Sequence, residues 1–448
     1  MIGVAAILNP TTVTNNAGID MGNSVLSNIS TPPTAGTEGA SKQYVDDTIG
    51  FATAENLGSG KSIFAQKTGN DLQFKTLQGN VNLTIGGDQT RVTIGKELFL
   101  NPFPQYNPDT TTITGLPGFL KWSGSVLAHD GRIYAYPYTH PSVLIFDPLT
   151  NSTDTTTLTG LVGSTKWSSG VYYQNGKMYA IPINHTAVLI VDILNKTLDT
   201  TTLTGLTGFG KWRGAVLHPN GKIYGVPRDE TRILIVNPEG PAGARLDTTT
   251  LTTSFTASDK WAGGVLAPNG KIYCAPYDDS QVLVIDPAAG TVDSTRIHGG
   301  TGPRRWTSPN KWVGGALAPN GKIYFTPYDD SRVLIIDPNN DTAPDTSSIN
   351  TISDASKWNG GVLAPDGKIY CMNVSSSNML IIDPVAATAD ISSVTDIVAG
   401  AHKIGILGPN GKVYGIPSGN LSESITIVGT GIPSVQPQFY FSSYNNKF

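Results

Sequence analysis

The sequence predicts an all-β protein whose main part is a seven-bladed β-propeller, preceded by an extended N-terminal region with a short β-rich segment. The first observation is a motif that reads K-W-A-G-G-V-L-A-P-N-G-K-I-Y from Lys260 and K-W-V-G-G-A-L-A-P-N-G-K-I-Y from Lys311. Looser copies begin at Lys121, Lys166, Lys211, Lys357 and Ala401. The second observation is the spacing, which is 45, 45, 49, 51, 46 and 44 residues from Trp122 through Trp167, Trp212, Trp261, Trp312 and Trp358 to His402. Such a period is typical of propeller blades.

Each repeat divides into four predicted strands. The W-x-G-G segment is the first strand and G-K-I-Y the second, with Asn-Gly or Asp-Gly between them as a strong hairpin signal. V-L-I-I-D-P is the third strand, because a continuous apolar run suits a strand covered on both faces. The fourth strand is predicted at D-T-T-T-L-T-G, which begins at Asp154, Asp199 and Asp247, since β-branched threonines favour strands.

The two ends of the repeat region complement each other. A fourth-strand segment, Asp109 to Gly115, precedes the first motif, whereas the last repeat has a third strand, Ser424 to Val428, and no fourth. We therefore expect Asp109–Ile113 to pair with Ser424–Val428, which closes the ring and leaves no open sheet edge. The propeller is predicted to span residues 99–431, followed by a tail at 432–448 of no evident role.

Composition excludes several classes of protein. The net charge of −4 and the pI near 5.9 argue against a nucleic-acid partner. The apolar run Val4 to Leu8 is too short for membrane insertion. Cys274 and Cys371 hold the same position in the fourth and sixth repeats, too far apart for a disulfide, so both are expected to be free and buried.

The N-terminal region carries a different pattern. Within residues 1–55, M-G-N-S-V-L-S-N-I-S-T-P (Met21 to Pro32) is followed by A-S-K-Q-Y-V-D-D (Ala40 to Asp47). Over about thirty residues this resembles a module of bacteriophage tail fibres and of fibre-like proteins of large DNA viruses. The resemblance implies a virion-attachment region that contacts other virion or tail proteins, and chains that assemble as homotrimers. The alternative is a flexible polar tail with a short helix at Ser41 to Ile49.

Residues 56–98 are predicted to form a β-rich shaft or oligomerisation segment. Four short alternating segments are broken by Thr68-Gly69-Asn70-Asp71, Gly79-Asn80 and Gly86-Gly87, as expected for strands joined by turns. Too few residues are present to bury a core alone, so other chains are expected to complete it. Similar segments follow the K-Q-Y-V-D module in viral fibres.

The propeller is predicted to have one uniform face and one variable face. Because strands alternate in direction, the turns between first and second strands share a face with those between third and fourth. The opposite face carries the turns between second and third strands and the connections between blades. Its turns differ in sequence, from Y-T-H-P at Tyr138 and R-D-E-T at Arg228 to Y-D-D-S at Tyr277 and S-G-N-L at Ser418. Binding residues favour variable loops on a rigid frame.

Candidate ligand-binding residues are the polar and aromatic residues of the variable face. They are Tyr138, His140, His185, Arg228, Asp229, Asp278, Asp279, Arg304, Arg305, Trp306, Asp329 and Asp330. Trp306 lies beside two arginines in the longest connection, Gly299 to Asn310, and is expected to be an interface anchor. The motif tryptophans are expected to pack between blades. The His and Asp pairs lack the spacing of known metal sites, so neither metal nor cofactor is predicted.

The sequence thus favours a non-enzymatic fibre-type protein of the virion surface that binds a host-cell receptor, most simply a glycan. One alternative is a purely structural protein that docks onto neighbouring capsid or tail subunits. Another is a polysaccharide-degrading enzyme on a propeller, although no G-x-S-x-G, H-E-x-x-H or Walker motif is present and no catalytic residue can be named.

Overall fold

A computed structural model describes residues 108–116, 118–299, 306–350, 352, 358–397, 402–419 and 424–429. It also describes the backbone of four short strands between residues 66 and 95. The chain divides into two units, Met1–Phe103 and Pro104–Phe448.

The first unit contains two antiparallel strand pairs. Strand β1 (Gln66–Thr68) pairs with β2 (Asp71–Gln73), and β3 (Asn82–Ile85) pairs with β4 (Val92–Gly95). These strands overlap the predicted alternating segments, and the shaft or oligomerisation role of residues 56–98 stays a prediction. The module at residues 21–47, the alternative helix and the tail at 432–448 lie outside the described residues.

The second unit is a seven-bladed propeller, as predicted, and we number its blades in chain order. Blade 1 contains β5 (Trp122–Leu127), β6 (Ile133–Pro137), β7 (Leu144–Asp147) and β8 (Ser152–Asp154). Blade 2 contains β9 (Trp167–Tyr173), β10 (Lys177–Pro182), β11 (Leu189–Asp192) and β12 (Thr197–Asp199). Blade 3 contains β13 (Trp212–Leu217), β14 (Ile223–Pro227), β15 (Leu234–Val236) and β16 (Leu246–Asp247). Blade 4 contains β17 (Trp261–Leu266), β18 (Ile272–Pro276), β19 (Leu283–Asp286) and β20 (Thr291–Asp293).

The remaining blades follow the same antiparallel order. Blade 5 contains β21 (Trp312–Leu317), β22 (Ile323–Pro327) and β23 (Leu334–Ile336). Blade 6 contains β24 (Trp358–Leu363), β25 (Ile369–Asn373), β26 (Leu380–Asp383) and β27 (Thr388–Asp390). Blade 7 contains β28 (His402–Leu407), β29 (Val413–Pro417) and β30 (Thr426–Val428).

The first strand of every blade is innermost, because consecutive first strands contact one another around the ring. This close approach explains the glycine two residues after Trp212. A Cβ on Gly214, which has a φ of +125°, would lie 2.8 Å from the Cα of Gly263 in the next blade. Such a separation is shorter than real contacts allow, so the inner ring requires glycine there.

The fourth strand is shorter than predicted and ends where the sequence pattern suggested it would begin. In blades 1 and 2 it stops at Asp154 and Asp199, and the threonines after each aspartate form a turn. The Asp154 Oδ1 atom accepts hydrogen bonds from the backbone N–H groups of Thr156 (2.7 Å) and Thr157 (3.0 Å). The prediction was wrong here because side-chain capping by aspartate outweighs the β-propensity of threonine.

Ring closure by the two ends of the propeller is confirmed. Asp109 pairs antiparallel with Ile427 through two backbone hydrogen bonds of 2.9 Å, and Ile425 N–H donates to the Ile113 carbonyl at 3.0 Å. The pairing of Asp109 with Ile427 in blade 7 is therefore equivalent to the pairing of Asp154 with Ile145 in blade 1. Residues from the beginning of the propeller complete its last sheet.

The core consists of seven apolar clusters, each formed between two neighbouring blades. All six motif tryptophans are buried, which confirms their packing role. Trp167, for example, packs against Tyr134 and Val143 of blade 1, and its indole Nε1 donates to the Ala187 carbonyl at 2.9 Å. The same bond to the carbonyl twenty residues ahead recurs at Trp122, Trp212, Trp261, Trp312 and Trp358. Cys274 and Cys371 are free and buried, as expected.

Candidate functional site

The two faces of the propeller have the composition that strand direction predicts. On the uniform face, the Asn-Gly turns contact turns between third and fourth strands: Asn269 and Asn320 donate from Nδ2 to the carbonyls of Pro338 and Pro384 at 3.1 and 3.2 Å. The variable face carries the turns between second and third strands together with the connections between blades. We call it the loop face.

A ring of backbone hydrogen bonds supports the loop face. Tyr138 N–H donates to the Lys121 carbonyl, and Lys166 N–H of the next blade donates to the Tyr138 carbonyl, both at 2.8 Å. The same alternation continues blade by blade as far as Tyr328, and Lys121 N–H donates to the Ser418 carbonyl of blade 7 at 3.2 Å. In blades 1 to 5 and blade 7, the first residue of the loop-face turn is therefore fixed beside the inner strands, at the mouth of the central channel of the propeller.

Buried lysines hold the connections between blades. Five motif lysines have at most 1% of their surface exposed: Lys121, Lys166, Lys211, Lys260 and Lys311. Each ammonium donates to the carbonyl three residues earlier, at 2.7 to 3.0 Å. Burial lowers the pKa of Lys166, Lys211 and Lys311 to about 8. These lysines are part of the frame and are not available at the surface.

The histidines and the second aspartates of the loop-face turns stabilise their own turns. The Nδ1 atoms of His140 and His185 accept the N–H of Ser142 and Ala187 at 3.1 Å. Both rings also lie against a motif tryptophan, with ring centroids 4.6 and 4.4 Å apart. Burial lowers the pKa of both histidines.

Asp279 and Asp330 hold the equivalent position in blades 4 and 5. They accept the N–H of Gln281 and Arg332 at 3.0 and 2.9 Å. In the turns of blades 1, 2, 4 and 5, the third residue therefore accepts the backbone N–H two residues ahead and stabilises the turn.

The first aspartates of these turns connect neighbouring blades. Asp229 and Asp278 accept the N–H of Asp259 and Asn310, the residues that precede the next motif lysines, each at 2.7 Å. Asn184 does the same for Gly210 at 2.7 Å. Asp329, whose own N–H donates to the Asn310 carbonyl at 2.8 Å, is partly buried. The candidate aspartates therefore have structural roles that the sequence did not reveal.

Arg228 lies between two carboxylates on the loop face. Its Nε is 2.5 Å from Asp259 Oδ1 and its guanidinium is 3.2 Å from Asp229 Oδ2. The three side chains are 24%, 30% and 28% exposed in that order. Arg228 therefore contributes an ion-paired group to the surface of blade 3.

Trp306 is not the exposed anchor that the sequence suggested. Only 2% of its surface is exposed, and its ring packs edge-on against Trp312 with centroids 5.0 Å apart. The expectation was wrong because the connection folds this ring into the cluster between blades 4 and 5, next to Val282 and Ile297. Arg304 and Arg305 lie outside the described residues.

Three loop-face residues that sequence reasoning did not select form a contiguous group at the channel mouth. The Arg213 guanidinium lies over the Tyr277 ring, 5.0 Å from its centroid, and Tyr277 meets Tyr328 edge-on at 5.8 Å. All three side chains are partly buried, with the smaller part of their surface exposed. Two phenylalanines on the connections, Phe119 and Phe209, are 57% and 83% exposed. Alignment of the repeats would have revealed Arg213, because the other copies carry serine, alanine, valine or asparagine at its position, apart from Lys403.

Neither a cluster of metal-ligating side chains nor a long apolar helix occurs in the described part of the chain. Across the residues that the structure describes, no three His, Cys, Asp or Glu side chains are arranged to hold a metal ion. Over the same ranges, no helix has both the length and the apolar character needed to cross a membrane.

Comparison with known proteins identifies structures of the same fold. A streptogramin B lyase has a TM-score of 0.56 at 10% identity and covers 72% of this chain and 97% of its own. Virginiamycin B lyase from Staphylococcus aureus has a TM-score of 0.55 at 10% identity, with coverages of 72% and 98%. The extracellular domain of the hybrid two component system BT4673 from B. thetaiotaomicron has a TM-score of 0.54 at 8% identity, with coverages of 86% and 51%.

No protein-family model and no curated protein matches the sequence. At these identities the structural likeness shows the fold alone, and the fold is a seven-bladed β-propeller.

Proposed function

We propose that this chain is a fibre-type protein of a virion, and that the loop face of its propeller binds a host-surface glycan during attachment. The observation that carries the proposal is the contrast between the two faces. The frame recurs around the ring, while the loop-face turns between second and third strands have six different sequences in seven blades, with only blades 4 and 5 sharing Y-D-D-S. Selection for stability alone does not require such diversity.

Rigidity of the loop face supports a binding role. The turns are fixed by the backbone ring, by aspartates that bridge blades and by buried lysines that hold the connections. Side chains on such a frame lose little conformational entropy when a ligand binds, which raises affinity. Weak sugar sites also gain from several copies in one particle.

The viral assignment is supported by the K-Q-Y-V-D module between Ala40 and Asp47. We propose that residues 1–55 attach the chain to other virion or tail proteins and that residues 1–98 assemble it as a homotrimer. Sedimentation of the full chain at micromolar concentration should give the trimer mass. A monomer at that concentration would contradict the assembly.

Two measurements test the proposed function together. Gold-labelled antibody against the propeller should decorate the outer tips of fibres on virus particles from the source that encodes the chain. The labelled full chain should also bind a subset of an array of surface glycans and leave those glycans intact.

Gold at the capsid or tail body without glycan binding would instead identify a structural subunit. Release of unsaturated or reducing sugar ends from a bound glycan would identify an enzyme. Either result would overturn the proposal.

A further inference from the structure

We propose that Arg213, Tyr277 and Tyr328 form a sugar subsite at the channel mouth, and that this subsite selects a glycan residue carrying a carboxylate. The inference rests on the proposed function and names the ligand chemistry of the loop face. Arg213 supplies the charge and the two tyrosines supply a surface for the sugar ring.

The position of Arg213 within the repeat is the first argument. It directly follows the motif tryptophan, where blades 1 and 2 carry serine. There the serine hydroxyl joins neighbouring blades, because Ser123 and Ser168 donate to the tryptophan carbonyl of the next blade at 2.7 and 3.0 Å. Arg213 has no hydroxyl group and cannot form that hydrogen bond, and it places a long cationic side chain at the channel mouth. Serine at the same position in blades 1 and 2 shows that the fold does not require an arginine there.

The partners of the other arginines are the second argument. Of the seven arginines in the described part of the chain, five form an ion pair with a carboxylate: Arg132, Arg228, Arg232, Arg296 and Arg332. Arg245 donates to the Gly240 carbonyl at 2.7 Å. Among the described residues Arg213 has no carboxylate or backbone-carbonyl partner: its guanidinium lies over the Tyr277 ring and hydrogen-bonds to the Tyr277 side chain, which leaves its other donors for a ligand. Its planar guanidinium therefore retains donors for a bidentate carboxylate.

Four carboxylates of the loop face in blades 3 to 5 form contacts with groups other than Arg213. Asp229 and Asp259 flank Arg228, and Asp330 forms a two-point contact with Arg332 at 2.7 Å. Asp278 accepts the Asn310 N–H. An incoming carboxylate would therefore meet an arginine without a carboxylate partner.

The tyrosines supply the third argument. Tyr277 and Tyr328 are the first residues of their turns, and the backbone ring fixes both beside the inner strands. Their edge-to-face contact orients the two rings relative to each other, and Arg213 covers the Tyr277 ring. Partly exposed aromatic rings of fixed orientation offer apolar area and polar edges to an amphipathic ligand such as a sugar.

The test uses the full chain and an array on which each uronic-acid or sialic-acid glycan is printed beside its methyl ester, which removes the charge and keeps the sugar. The parent should bind at least one acid form at least about tenfold more tightly than its ester, as expected for a charge-assisted hydrogen bond. Arg213→Ser should abolish that preference. Tyr277→Ile, which introduces the residue of blade 2 (Ile183), should weaken binding of both forms.

Arg132→Ser is the matched control, because it removes an exposed arginine from the uniform face. It should bind like the parent, and all variants should keep the parent's melting temperature within a few degrees. A parent that binds acids and esters equally, or an Arg213→Ser chain that keeps the preference, overturns the inference while glycan binding stands. A parent that binds no glycan overturns the proposed function and this inference with it.

Discussion

At the scale of single residues, the motif tryptophan combines apolar packing with one buried hydrogen bond. Trp167 and Ala187, whose carbonyl accepts the indole N–H at 2.9 Å, are both fully buried. Replacement of the indole by a smaller ring leaves that carbonyl without a donor and opens space between blades 1 and 2.

We expect Trp167→Phe to lower the free energy of unfolding by about 1–3 kcal/mol, the cost of a buried acceptor left unsatisfied. Trp167→Ala should cost about 3–5 kcal/mol, because a cavity forms as well. Urea denaturation measures both values. If the two variants were equally stable, the packing role assigned to this ring would be wrong.

The aspartates that end the fourth strands make the stability of the folded state depend on pH in the acidic range. Burial raises the pKa of Asp154 and Asp199, but hydrogen bonds from the following threonines outweigh it and lower the pKa of both to about 2. A carboxyl group whose pKa is lower in the folded state than in the unfolded state stabilises the folded state at pH values above its ordinary pKa of 3.8. That contribution is lost as pH falls through the folded pKa.

The melting temperature should therefore fall between about pH 4 and pH 2, in part through these two groups. In Asp154→Asn/Asp199→Asn the amide keeps an acceptor oxygen but no longer titrates, so the acid-dependent fall should be smaller. Scanning calorimetry across this pH range measures the difference. Identical pH profiles for parent and variant would refute the assignment.

At the scale of the strand and turn, the Asn-Gly hairpins depend on a backbone conformation that glycine adopts freely. Gly321 has a φ of +79° and open space around a Cβ, so an added methyl group meets no neighbour. We expect Gly321→Ala to cost about 1–2 kcal/mol from backbone strain alone.

Gly429→Ala is the control for this prediction, because its Cβ also meets no atom within 4 Å and its φ lies outside the left-handed range. Its effect should stay within about 0.5 kcal/mol. Chemical denaturation of both variants makes the comparison. Equal stability of the two would contradict the conformational argument.

Turn chemistry and periodicity predicted the elements, because both are local properties of the sequence. The spacing from Trp122 onward and the Asn-Gly turns indicated the blades and their order, and the additional fourth-strand segment at Asp109 indicated the ring closure. Local reasoning failed where two local preferences compete, as at Asp154 and its threonines. It also failed where a contact crosses between blades, since nothing in the segment around Trp306 indicates that its ring meets Trp312.

The candidate site was predicted less completely than the fold. Strand direction identified the loop face, but the chemistry of a turn residue does not reveal whether a ligand or the frame uses it. His140, His185, Asp229, Asp278, Asp279 and Asp330 all bond to backbone N–H groups. Arg213 was overlooked because its position belongs to the repeated motif, which suggested a purely structural role.

At the scale of the whole molecule, closure of the ring depends on residues 109–116, which lie at the opposite end of the propeller sequence from the strand that they join. Ile113 and Leu116 are buried in the cluster between blades 7 and 1, and Asp109 pairs with Ile427. A chain that lacks residues 1–115 loses this pairing, whereas a chain that lacks residues 1–98 keeps it.

We expect the longer deletion to lower the free energy of unfolding by at least about 2 kcal/mol relative to the shorter one, the value of one buried isoleucine. Thermal melts of the two shortened chains measure this. Equal melting temperatures would show that the last blade does not need its outer strand.

The central claim is that the loop face binds and the uniform face does not. A bulky polymer attached to one face tests it directly, because the two native cysteines are buried. Phe209→Cys on the loop face and Leu194→Cys on the uniform face replace side chains of similar exposure, 83% and 79%. Each full chain is coupled to maleimide–polyethylene glycol and applied to the glycans that bind the unlabelled parent. The account predicts that polymer at residue 209 abolishes binding and polymer at residue 194 leaves it unchanged; the reverse result would contradict it.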